Sequence, residues 1–172
     1  MRSANGRPKS WAVVDVGHFT TDFLLMKENT YIESKVDSCE GITVAAEHLM
    51  KTLTGKGYKV TLQDCEQALR SRTIFHFGEK DIIPEVDEAL VHVAARIKAK
   101  ADALHGSEAA SLDGILLAGG GAAMMRDRFR MEWENIKMVE SPQMAVAEGY
   151  CRYGKGVMMK RAVQTPKVAA HP

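Results

Sequence analysis

The sequence predicts an α/β domain, a mixed sheet with helices packed on it. Three observations carry that expectation. Trp11 to Met26, WAVVDVGHFTTDFLLM, reads as two short strands, Trp11–Val16 and Thr21–Met26, joined by a tight polar turn. Residues 84–104 carry an apolar stripe at helical spacing. Late in the chain, the apolar run DGILLA enters three glycines and a helical segment, followed by a further strand and helix.

The elements follow in order. Residues 1–10 are polar and basic, read as a disordered leader or linker without the apolar centre of a signal peptide. After the opening hairpin, Thr30–Asp37 alternates weakly and is expected as a third, edge strand. GITVAAEHLMKTL from Gly41 places Ile42, Ala45, Ala46, Leu49 and Leu53 on one helical face, and Gly55 and Gly57 end it. Thr61 and Asp64 have the spacing of a capping box, opening a short helix with Leu62, Cys65 and Leu69 inward. Thr73–Phe77 is β-branched and aromatic and should pair with Lys80–Ile83.

Pro84 suits the first position of the longest helix. Its stripe is Val86, Leu90, Val93, Ala94, Ile97, Ala101 and Leu104, and His92 reads as a surface or boundary residue. Acidic residues crowd its start and basic ones lie later, as the helix dipole favours. Asp113–Ala118 is a buried strand, Ile136–Val139 another, and Ser141-Pro142 opens the last helix with Ser141 as N-cap. From Gly154 the pattern dissolves. The divisions expected are a leader at 1–10, a domain at 11–155 and a flexible basic tail at 156–172.

A chain of 172 residues can bury one real core, and 45% apolar with 26% charged residues is a globular composition. The net charge of +1 argues against a strongly electrostatic nucleic-acid or membrane surface. No apolar run is long enough to span a bilayer. Cys39, Cys65 and Cys151 form no CxxC pair, which suggests a reduced, cytoplasmic chain. The six histidines show no HExxH-type spacing, so a histidine metal site is not expected.

Two stretches carry candidate chemistry. The first turn holds Asp15, Gly17, His18, Phe19, Thr20, Thr21 and Asp22. A carboxylate at a strand end can orient a hydrated divalent cation, a glycine admits oxygens to backbone N–H groups, and hydroxyls donate. The plain alternative is an ordinary hairpin turn. The second stretch is LLAGGGAAMM, in which a strand ends in Gly119, Gly120 and Gly121 before a helix. Such a turn lets a phosphate or flat ligand lie against backbone near a helix N-terminus. Its alternatives are a turn without a ligand, or a dinucleotide fingerprint, GxGxxG. Gly119 and Gly121 fit that fingerprint, and Glu140 follows at about 20 positions, but Met124 stands at the third glycine.

DVGHFTTD resembles the second phosphate motif of the actin-like ATPases, DxGxxTTD. LLAGGGA resembles their adenosine motif, and SPQMAVAEGY their following hinge helix, in the manner of plasmid-segregating ParM/StbA proteins and their archaeal relatives. The resemblance covers about Trp11–Tyr153. It implies a ribonuclease H-like α/β domain, one of the usual two of an actin-like ATPase, here the C-terminal half. It also implies Asp15 as the catalytic carboxylate that positions magnesium, through water, and the attacking water. Gly17, His18, Phe19, Thr20 and Thr21 would bind phosphate. Gly41, Gly119, Gly120, Gly121, Ala122 and Met124 would lie by adenosine. His18 and Phe19 stand where many relatives carry Gly.

The cofactors implied are ATP or ADP with magnesium. The partners implied are an N-terminal ATPase domain that this chain lacks, other copies in a filament, and DNA only through an adaptor, with no membrane. Hydrolysis is expected of the intact two-domain relative, not of this half alone. The other readings are a non-catalytic interaction module on the same fold and, third, the dinucleotide-binding enzyme.

Overall fold

The structure, a computed structural model, describes residues 9–164 apart from residues 29, 107, 109, 110 and 132, and for residues 160–164 the backbone alone. Residues 1–8 of the expected leader and 165–172 of the expected tail lie outside the described residues.

Strand β1 (Ser10–Val16) and β2 (Thr20–Lys27) form the opening hairpin. Alternation sets their faces: Ala12, Val14 and Val16 of β1 and Thr21, Phe23 and Leu25 of β2 are buried on one side. Cross-strand register pairs Val14 with Phe23 and Val16 with Thr21. β1 starts within the expected leader, because Ser10 N–H donates to Asp113 Oδ2 at 2.7 Å and Ser10 O accepts Asp113 N–H at 2.8 Å.

The single edge strand expected over Thr30–Asp37 is two strands. β3 (Thr30–Tyr31) pairs with Met26 and Lys27. A 3-10 turn over Glu33–Lys35 leaves the ladder, and β4 (Asp37–Glu40) rejoins β2 at Thr20–Phe23. The polar Glu33-Ser34-Lys35 has no apolar side chain to hold it on the sheet.

Helix α1 (Thr43–Gly55) and α2 (Leu62–Ser71) follow. The capping box is present: Thr61 Oγ1 accepts Asp64 N–H, and Asp64 accepts Thr61 N–H. The β5 (Thr73–Phe75) and β6 (Glu79–Asp81) hairpin stands as a separate two-stranded sheet. The long helix α3 (Ile83–His105) has Pro84 in its first turn, and the stripe from Val86 to Ala101 is buried as its spacing predicts. Leu104 is half-buried against the core.

β7 (Gly114–Ala118), α4 (Ala122–Arg130), β8 (Ile136–Met138), a 3-10 turn (Pro142–Met144) and α5 (Ala145–Gln164) complete the chain. Residues 156–164, expected in a flexible tail, are helical. Gly154 and Gly156 tax a helix by roughly 1 kcal/mol each relative to Ala without breaking it. Ser141 makes no side-chain cap; the 3-10 turn intervenes between it and α5.

The sheet order is β3-β2-β1-β7-β8, with β4 also on β2. β2, β3 and β4 run antiparallel to their neighbours, while β1, β7 and β8 are mutually parallel. One continuous core joins the buried face of β1, β2 and β7 to α1, α2, α3 and α4. Trp11, Val13, Asp15 and Leu24 point to the other face and are half-buried. Among the described residues no helix is long and apolar enough to cross a membrane.

Candidate functional site

Both glycine-bearing turns come from central strands of the sheet. β1 ends at Asp15 and Val16, and β7, parallel beside it, ends at Ala118 in register with Asp15. The two turns therefore leave the same edge of the sheet. Gly119 adopts φ +88°, a left-handed conformation suited to glycine, and a Cβ there would overlap Asp15 Oδ1 and Val16 O. Gly121 N–H donates to Val16 O at 2.8 Å, and a Cβ on it would stand 2.6 Å from Val16 Cγ1. Gly119 and Gly121 are thus needed for close approach to β1. Gly120 is different: its Cβ would meet only Gln143 Cγ, at 4.0 Å, and its N–H donates to no backbone carbonyl among the described residues.

Over Gly120 lies a cavity of about 240 Å³, lined by Arg70, Gly119, Ala123, Ser141, Pro142 and Gln143 among others. Gly119 N–H donates to Pro142 O at 2.8 Å, which draws the start of the last helical segment onto the glycine turn. Arg70 and Gln143 are absent from the sequence-based site. Arg70 reaches it from α2 and Gln143 from the SPQMA stretch, and no local signal in the sequence marks either.

Asp15 is half-buried and paired in register with the exposed Asp22 of β2. Burial first, and then the Asp22 carboxylate, hold the Asp15 carboxyl above its ordinary value. Thr20 Oγ1 donates to Asp22 Oδ2 at 3.2 Å. Two facing carboxylates with a hydroxyl are an oxygen donor set suited to a hard divalent cation, whose charge would offset their repulsion. The residues present therefore fit magnesium.

The turn itself is braced. Gly17 N–H donates to Thr20 O at 2.8 Å. The N–H groups of Gly41, Ile42 and Thr43 donate to Phe19 O, Gly17 O and His18 O, so the turn's carbonyls cap α1. The N–H groups of His18 and Phe19 donate to no backbone carbonyl among the described residues, and these can face an anion. His18 Nε2 lies 3.3 Å from Glu66 of α2, its ring edge-on to the exposed Phe19.

Three of the expected residues sit behind the turns. Thr21, expected on phosphate, is fully buried and its hydroxyl donates to Glu40 O at 3.1 Å. Strand alternation puts it on the face opposite Asp15 and Asp22. Gly41, expected beside a ribose, lies buried under the first turn; a Cβ there would fall 2.6 Å from Gly17 O and 2.7 Å from His18 O. Ala122, expected against adenosine, is fully buried with its N–H donated to Gly119 O, and Ala123 lines the cavity instead. Met124 is half-buried and packs against the core.

Comparison with known proteins gives a consistent result. Residues 13–131 match the model of a family described as archaeal actin homologue MreB-like, C-terminal. The archaeal actin homologue Ta0583 superposes with a TM-score of 0.78 at 22% identity, over 87% of this chain and 49% of that one. A ParM filament structure from Clostridium botulinum gives 0.78 and 22%, over 87% and 46%. Ta0583 in complex with ADP gives 0.76 and 22%, over 87% and 50%. The chain thus has the actin-like fold and spans about half the length of these relatives. No curated protein matches it.

Proposed function

The chain belongs to the MreB-like archaeal actin homologues, matching their C-terminal model, and from that premise we propose that it is the nucleotide-binding half of an actin-like, filament-forming ATPase. The observation that carries this reading is the convergence of both glycine turns on Asp15, with the Gly119 backbone against its carboxylate. The ADP complex of Ta0583 and the botulinum ParM filament support adenine nucleotide as ligand and self-association as outcome.

In this reading magnesium–ATP, when bound, supplies the phosphoanhydride and the cation. The chain's own residues do the rest. Asp15 orients a water, and Asp22 adds negative charge beside it. The His18 and Phe19 N–H groups face the phosphate oxygens, with the Thr20 hydroxyl next to them. Gly120, with Gly119 and Gly121 holding it in place, leaves room for a flat base, and Arg70 and Gln143 flank it. Thr21, Gly41 and Ala122 act from behind, by holding the turns. Such catalysis is mainly positioning and electrostatics. The other wall of the cleft would come from an N-terminal ATPase domain. DNA would be reached only through an adaptor, in the cytoplasm, as for a plasmid-segregating relative.

Calorimetric titration of the 172-residue chain with Mg·ADP tests this. Gly120 lacks a positive φ and has open space at its Cβ, so Gly120→Val should fold with an unchanged circular dichroism spectrum. It should lose the weak binding of the parent. A folded Val variant that binds ADP as well as the parent would make the turn structural and refute the adenosine assignment.

A further inference from the structure

A second cluster of ligating groups lies away from the Asp15 turn, on the seam between α1 and α3. His48 of α1 and Glu88 and His92 of α3 each offer one ligand atom, and the three atoms lie within 4.8 Å of one another. Glu88 and His92 are four apart and share a helical face. The two imidazole rings stand 4.7 Å apart at 44°, and His48 Nε2 is 4.0 Å from Glu88 Oε1. That Nε2 is buried and has no hydrogen-bond partner among the described residues. The ends of the seam are flanked by ordinary ion pairs: Lys56, just after α1, with Glu85 at 2.5 Å, and Arg96 with Glu40 of β4, just before α1. Between those pairs the seam presents two imidazoles and a carboxylate.

We propose that His48, Glu88 and His92 bind a divalent transition-metal ion of the zinc class, clipping α1 to α3. The donor set decides the class. Two imidazoles and one carboxylate suit Zn²⁺, Co²⁺ or Ni²⁺, whereas Mg²⁺ and Ca²⁺ prefer oxygen alone. Ligand atoms about 2.1 Å from a tetrahedral ion stand about 3.4 Å apart, so closing this cluster needs movements of about 1 Å. Glu88 is 60% exposed and free to make them. Ala45, Leu49 and Leu53 of α1 and Val86, Ala89, Leu90 and Val93 of α3 are buried, which fixes the helices that carry the ligands. Three protein ligands leave a position for water or for a donor from another molecule. The pattern is hidden in the sequence because the third ligand comes from a different helix.

The test uses the tag-free 172-residue chain, titrated with Zn²⁺ and Co²⁺ and followed by calorimetry, visible absorption and thermal melting. One ion should bind per chain. The Co²⁺ complex should show no thiolate charge transfer, which separates this site from Cys39, Cys65 and Cys151. Zn²⁺ at 100 times its Kd should raise the folded-to-unfolded ratio about 100-fold. His48→Ala, His92→Ala and Glu88→Gln should each weaken binding tenfold or more with the dichroism spectrum kept, and His76→Ala should not. The absence of stoichiometric binding, or unchanged Zn²⁺ affinity in a folded Glu88→Gln or His48→Ala/His92→Ala variant, would overturn the proposal.

Discussion

Asp15 is held where its charge is unwelcome. Burial and Asp22 raise its folded pKa above the ordinary 3.8. The native state therefore keeps the proton at pH values where the unfolded chain has released it, and stability falls as pH rises from about 3.8 through the folded pKa. At neutral pH the charged form is therefore a net burden on the folded state. Asp15→Asn should raise the denaturant midpoint at pH 7, with the gain shrinking to nothing as pH drops below about 3.8. A lower midpoint at pH 7 would mean that the carboxylate is held by favourable contacts instead. Asp15 and the three glycines at 119–121 stand out in the sequence by type and order, and the fold brings them together at the ends of β1 and β7. Thr21 was assigned by its place in a motif, although strand parity with Asp15 and Asp22 already sets it on the other face. Gly41 and Ala122 needed the structure, since their roles are contacts with distant turns.

At the scale of elements, periodicity was the strongest signal. The α3 stripe is buried at Val86, Leu90, Val93, Ala94, Ile97 and Ala101. Leu90 is fully buried and its neighbour Val91 is 55% exposed. Leu90→Ala should cost roughly 2–5 kcal/mol in urea unfolding, against well under 1 for Val91→Ala. Equal effects would mean that the helix is rotated relative to the sheet. Signals failed where apolar spacing was thin. The β3–β4 edge carries mostly polar residues, so its interruption at Glu33–Lys35 left no mark in the alternation. α5 has exposed Tyr150, Tyr153, Met158 and Met159 with glycines between them, and nothing in that mixture indicates that the helix persists to Gln164.

At the scale of the molecule, the sequence predicted a mixed sheet with helices, but the parallel pairing of β1 with β7 spans about a hundred residues and has no local signature. That pairing brings two separate glycine turns to one edge, where the proposed site would lie. Asp15, the His18 and Phe19 N–H groups and the cavity over Gly120 belong to this chain, which spans about half the length of its solved relatives. Positioning of both reactants supplies about 7–11 kcal/mol of barrier reduction in well-ordered sites, and a ligand held from one side forfeits much of it. The 172-residue chain alone should therefore release phosphate from Mg·ATP at a rate indistinguishable from the Asp15→Ala variant, even where calorimetry detects nucleotide binding. Turnover well above that background and abolished by Asp15→Ala would show that the residues of this chain suffice for hydrolysis.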